Sequence, residues 1–223
     1  MAAQNPVLLE RDAERERLLG WLEDAARGEG RLVLLAGEAG VGKTVFLREV
    51  ARAASKGVRT LLGTCDPLST PRPLEPLYDI AAAGGGDLLA LLQEPDGHAR
   101  AFRTFLGMLE RPARPVLVVF EDVHWADEAT LDLLRFLGRR VGGTRALLVA
   151  SYRDDEVGSA HPLRLLVGDL ATSPAVARLS LPPLTAGAVA ALAEGTGLDA
   201  AELHRKTGCN PFFVTEVLAA GAM

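Results

Sequence analysis

Cysteine is nearly missing from the 223-residue chain, and the two that occur, Cys65 and Cys209, stand far apart. That excludes a disulfide framework and a zinc cluster, and leaves reduced thiols as the simplest reading. No apolar run approaches the ~20 residues of a membrane span, and the N-terminus lacks the charged-then-apolar pattern of a signal segment. Basic charge is not in excess either. Lys and Arg number 24 against 29 Asp and Glu, for a net charge of -5 and a pI near 5.5. Nothing electrostatic therefore points to nucleic acid as the main partner. These absences together lead us to expect a soluble, cytoplasmic chain without a membrane partner, long enough for one large or two small domains.

What is present is concentrated in one stretch, Gly37-Glu38-Ala39-Gly40-Val41-Gly42-Lys43-Thr44. It follows the apolar run Leu32 to Ala36 and precedes a helical pattern that takes in Val45. The spacing is G-x-x-x-x-G-K-[ST], a phosphate-binding loop. Its glycines allow a backbone curl that aims several N–H groups at one point, where the following helix also offers its positive dipole end. In such a loop Lys43 would reach the β- and γ-phosphates, and the Thr44 hydroxyl would be a ligand for Mg²⁺.

Around this loop the chain alternates strand and helix. Asp12 to Ala26 reads as an amphipathic helix with Leu18, Leu19, Leu22 and Ala26 on one stripe. Strands are expected at Arg31–Ala36, Val58–Gly63, Val116–Phe120, Arg145–Ser151 and Val176–Leu181. Helices are expected from Thr44, His98, Glu128 and Pro162. The segment from Cys65 to Gly97, rich in proline and glycine, reads as a surface excursion with short helical pieces. After Leu184 strands cease and short capped helices follow, the last with Asn210 as N-cap, Pro211 in its first turn, and Phe213 and Val217 on one face. The fold class is thus α/β: a three-layer sandwich on a five-stranded, mostly parallel sheet over 1–183. A partial helical lid over 184–223 follows.

Three further positions carry chemistry. The third strand ends in Glu121-Asp122, two adjacent carboxylates that are costly at the end of an apolar strand unless they serve a cation or a proton transfer. With a phosphate loop in the same chain, one would hold the metal's water shell and the other orient an attacking water. The fourth strand runs out into Tyr152-Arg153, and an arginine at the carboxyl end of such a strand lies where ligands bind. There Arg153 could touch a γ-phosphate, or else form a surface ion pair with its acidic neighbours. His124 could sense the phosphate region or make a structural hydrogen bond, and Trp125 reads as packing.

The chain resembles the ATPase domain of the STAND class of signalling ATPases, an AAA-like group, and in particular that of large LuxR-type bacterial transcriptional regulators. The resemblance rests on Leu9-Glu10-Arg11-Asp12, the loop Gly37 to Thr44, Val118 to Asp127 (VVFEDVHWAD), Ser151 to Glu156 (SYRDDE), His161-Pro162-Leu163, and Gly208 to Phe213 (GCNPFF). It implies that Glu121 and Asp122 form the acidic metal and water site. Arg153 would be the arginine that reads the γ-phosphate. Pro211 would pack on adenine, with the segment around Arg11 on the other side of the base. It further implies ATP or ADP as ligand with Mg²⁺, and self-association in the ATP state. Many relatives have Asp at position 121 and Gly at 209, so which carboxylate is nearer the metal stays open, and hydrolysis could be slow. The repeat region and DNA-binding element of such regulators do not occur in the chain. It is therefore expected to be a fragment or isolated module without direct nucleic-acid binding. A small-molecule kinase and a module that only holds ADP remain as alternatives.

Overall fold

The computed structural model describes residues 8–68, 70, 72–84 and 86–221. Five strands make one sheet: β1 (Arg31–Ala36), β2 (Arg59–Thr64), β3 (Val116–Glu121), β4 (Ala146–Tyr152) and β5 (Val176–Ser180). They lie in the order β2-β3-β4-β1-β5, and every pairing is parallel. The central strands β3 and β4 are buried nearly from end to end, as their unbroken apolar runs require. The edge strands β2 and β5 are only partly covered.

Successive side chains of a strand point to opposite faces, so each strand feeds two cores. On one face Val33, Leu35, Val119 and Val149 pack with Leu18 and Leu22 of α1 (Asp12–Ala26) and with Phe46 and Val50 of α2 (Lys43–Ala54). On the other face lie Leu34, Phe120 and Leu148. They meet α3 (Glu75–Ala82), α4 (Gly86–Gln93), α5 (His98–Glu110), α6 (Glu128–Gly138) and α7 (Pro162–Asp169). The result is the three-layer α/β sandwich expected.

Two readings need correction. The Cys65–Gly97 segment is no surface excursion: Leu74, Leu77 and Ile80 around α3, and Leu88 and Leu92 of α4, are buried in the main core. Each helix has only eight residues, too short for a periodic signal to stand out among prolines and glycines. In α1 it is Ala25, not Ala26, that is fully buried.

Beyond β5 come α8 (Ala186–Ala193), α9 (Ala200–Thr207) and α10 (Pro211–Gly221). They share a small core of their own, with Leu184, Val189, Leu203, Cys209 and Val214 buried together and Leu9 packed against it. In α10 Val214 is fully buried, with Val217 and Leu218 packed partly buried against the same core. Phe213, read as sharing a face with Val217, is instead half exposed beside Phe212. Among the described residues no helix is long and apolar enough to cross a membrane.

Because β4 lies between β1 and β3, the carboxyl ends of all three strands come out side by side, with Ala36 level with Tyr152. That edge holds the site.

Candidate functional site

The loop after β1 closes on itself before α2 starts. Gly42 caps α2 in the left-handed region at φ 96°, where any side chain would be strained. Lys43, only 6% exposed, turns its Nζ back to donate to the carbonyls of Gly37 at 2.6 Å and Glu38 at 3.0 Å. Burial lowers the lysine's pKa from its ordinary value, and the negative charge of Asp122 opposes that. A desolvated cation thus stands at the N-terminus of a helix, an arrangement suited to an anion.

The acidic pair diverges. Glu121 is the last residue of β3 and 9% exposed. Burial, then the charge of Asp122, raises its carboxyl above the ordinary value, while Arg48 and the Thr44 hydroxyl pull it back. Asp122 takes a left-handed conformation, φ 54°, with its N–H donated to Ser151 Oγ at 3.2 Å. That turn sends the two carboxylates different ways, so that Asp122 lines the cavity beside Lys43 and Glu121 stays behind it.

Arg153 leaves the end of β4 and also lines the cavity. Its Nη1 donates to Glu156 Oε1 at 2.6 Å, and its guanidinium lies 4.7 Å from the centre of the Trp125 ring. Trp125 also stacks on His124, with ring centres 4.5 Å apart. The packing expected of Trp125 is present. The hydrogen bond considered for His124 is not: neither ring nitrogen has a partner among the described residues.

The cavity of about 420 Å³ falls in the range of small-molecule sites, about 300–1,000 Å³. One wall is Gly40, Val41, Gly42, Lys43, Thr44 and Val45 with Asp122 and Arg153. The facing wall is Leu8, Leu9 and Arg11 with Leu184, Leu192, Pro211, Phe212 and Thr215. Arg11 and Pro211 both line this cavity. Arg11 is buried and donates to the Pro182 carbonyl at 2.5 Å. Gly37, Glu38, Ala39 and Glu121 are not on the cavity lining; the first three offer their carbonyls to Lys43 and Asn210.

The sequence reading missed the clasp between α10 and the loop. Asn210 Nδ2 donates to the Ala39 carbonyl at 2.7 Å, and the Phe212 N–H to the Gly40 carbonyl at 3.2 Å. The Asn210 Oδ1 meanwhile accepts from the Phe212 N–H at 3.1 Å. A Cβ at Gly40, whose φ is 77°, would come within 2.8 Å of Asn210 Oδ1 and 2.9 Å of the Phe212 Cβ. An N-cap asparagine has a spare NH₂ group, and that was the available signal. On the other side Glu10 accepts from the Thr185 N–H at 2.7 Å, tying the N-terminal segment to the start of α8.

Residues 7–150 match the AAA ATPase domain family, and the chain belongs to that family. An uncharacterized protein of Rhizobium meliloti (strain 1021) is 27% identical over 210 residues, covering 73% of this chain but 20% of the relative. The chain thus spans about a fifth of that relative. Among solved structures, the Aeropyrum pernix ORC1 protein, determined in complex with DNA, superposes with a TM-score of 0.63 at 23% identity. That match covers 99% of this chain and 62% of the other. A STAND protein with a tetratricopeptide repeat sensor from Pyrococcus horikoshii gives 0.53 at 16% identity, over 96% of this chain and 30% of that one. At such identities these likenesses speak for the fold: a P-loop ATPase sandwich.

Proposed function

We propose that the chain is an ATP/ADP-binding regulatory switch with slow Mg²⁺-dependent hydrolysis, the nucleotide-responsive part of a STAND-type regulator of the LuxR kind. In this reading residues up to 183 form the nucleotide-binding unit and those from 184 the lid. The observation that carries it is the cavity itself, with a phosphate loop on one wall and lid residues bonded to that loop on the other. A ligand touching both walls changes their relative stability, and so can bias their arrangement.

The residues fit such a ligand. The buried Lys43 amine and the α2 N-terminus suit phosphate, and the apolar facing wall of Leu9, Leu184, Leu192 and Pro211 suits a base. Thr44 and Asp122 line the cavity and would hold Mg²⁺ there, with Glu121, on whose carboxyl the Thr44 hydroxyl acts, set behind them to hold the metal's water shell. Mg²⁺, when bound, supplies charge neutralisation to the phosphate oxygens. Asp122 faces the cavity and would orient the attacking water, while Arg153 would stabilise charge on the γ-phosphate. The ion pair that holds Arg153 to Glu156 leaves a module that only holds ADP as the second reading. Self-association in the ATP state and a cytoplasmic location belong to the same reading.

The test is to purify the chain, denature it, and identify the released nucleotide. We expect ADP or ATP, and turnover with Mg²⁺ separates the switch from the binding-only module. Lys43→Ala should weaken both nucleotides about 100-fold, as loss of a buried charge at the phosphates implies. If the wild type binds neither nucleotide, and Lys43→Ala changes nothing, the reading is wrong. Arg153→Ala should weaken ATP more than ADP; equal losses would rule out the γ-phosphate contact.

A further inference from the structure

Glu156 lies in the turn after β4, three residues beyond Arg153, and holds a position between two partners. Its Oε1 accepts from Arg153 at 2.6 Å, while its Oε2 lies 3.5 Å from His124 Nε2. The second distance is just beyond a hydrogen bond. His124 is unusual in that its side chain is 1% exposed and neither nitrogen has a hydrogen-bond partner among the described residues. A buried donor without an acceptor is a standing free-energy cost. The Glu156 side chain, by contrast, is 38% exposed and so free to pivot. Trp125 packs against both His124 and Arg153, and its indole also draws on the Glu156 carboxylate, which as the more exposed group is the part with room to move.

We propose that Glu156 is an internal competitor for Arg153, a carboxylate with two seats, whose choice of seat sets how well the cavity tells a nucleoside triphosphate from a diphosphate. The proposal rests on Arg153 contacting the γ-phosphate. On Arg153, Glu156 neutralises the guanidinium and holds it off the ligand. A third phosphate competes for the same guanidinium and repels the carboxylate. Glu156 then turns to His124 Nε2 and fills the missing hydrogen bond. The other charges nearby are Asp122, 3.9 Å from His124 Nδ1, Lys43, which also acts on His124, and Asp154 and Asp155, which act on Lys43 alongside Arg153. Each of these is tied to the loop, the acidic pair or the solvent side of the turn. Only Glu156 reaches both seats. Glu156 is thus a positioning residue that acts through Arg153, and the equilibrium between its seats is the quantity the ligand shifts.

Calorimetric titration of the full chain with ATP and with ADP, both with Mg²⁺, tests this. For Glu156→Gln we expect ATP to bind about two- to fivefold tighter and ADP to be unchanged, the range for releasing a half-exposed ion pair. Glu156→Ser, on an exposed turn, should do the same. In the Arg153→Ala background the Glu156→Gln effect should vanish. His124→Phe keeps the ring on Trp125 but removes the second seat. It should shift preference toward ADP by about two- to fivefold, and only while Glu156 is present. The proposal is overturned if Arg153→Ala alters the ATP-to-ADP ratio but Glu156→Gln does not, or if Glu156→Gln weakens both nucleotides alike. Equal loss of ATP and ADP in Arg153→Ala instead removes the γ-phosphate reading, and this proposal with it.

Discussion

Phe120 in β3 and Val214 in α10 are both fully buried, yet their surroundings differ. Phe120 stands in a core drawn from four strands and five α-helices. Val214 belongs to a cluster of seven buried residues from the C-terminal helices and their connections. That small cluster meets the sandwich through directional contacts: the Asn210–Ala39 and Phe212–Gly40 bonds, the Glu10–Thr185 link and the apolar lining of the cavity. Broad packing fails all at once, whereas a handful of hydrogen bonds can break and reform singly. A unit meant to move against the sheet would be attached in this second way.

The sharpest test compares the two buried positions directly. Phe120→Ala should destabilise the whole chain by about 3–5 kcal/mol, lowering the main thermal transition. Val214→Ala should cost about 1–2 kcal/mol and chiefly raise hydrogen exchange in α10. Equal losses in the main transition would mean that the two regions unfold as one.

A smaller effect addresses the seam. Asn210→Ala leaves the Ala39 carbonyl without its donor, a loss of about 1–2 kcal/mol. We expect faster exchange across Pro211–Gly221 with little change in the main transition, together with weaker nucleotide binding. Unchanged exchange in that helix would show the clasp to be incidental.

The smallest effect lies on the sheet side and has the opposite sign. The folded protein raises the Glu121 pKa above its ordinary 4.5, so the ionised group costs stability. Between the two values the folded state binds more protons than the unfolded, and stability falls as pH rises through that window. Glu121→Gln removes the cost, and should raise stability at pH 7 by about 1 kcal/mol, about 2–4 °C, while lowering any turnover. The gain should shrink as the pH is lowered toward 4.5, and melting curves across that range would show it. A variant less stable than wild type at pH 7 would contradict the burial argument.

The sandwich was legible because its signals are local. The runs Val116–Phe120 and Arg145–Ser151 could belong only to buried strands, and the eight-residue loop names its own chemistry. Asp122 and Arg153 were legible for the same reason, as each ends such a run. What escaped depends on contacts distant in sequence. The bond from Asn210 to Ala39 spans 171 residues and leaves no periodic trace. The Glu156–His124 approach joins two turns. The helices α3 and α4 escaped for a third reason, their shortness among prolines and glycines.

Gly40 carries a consequence of its own. Phosphate loops are usually thought to need glycine for the ligand's sake. Here the space that a methyl group would take at Gly40 is claimed from behind, by Asn210 and Phe212. Gly40→Ala would then act twice, straining a loop backbone held at φ 77° and wedging the C-terminal helix away from it. A lesion inside the phosphate motif would register in part at the C-terminal helix, and a smaller residue at Phe212 would relieve the wedge but not the strain in the loop.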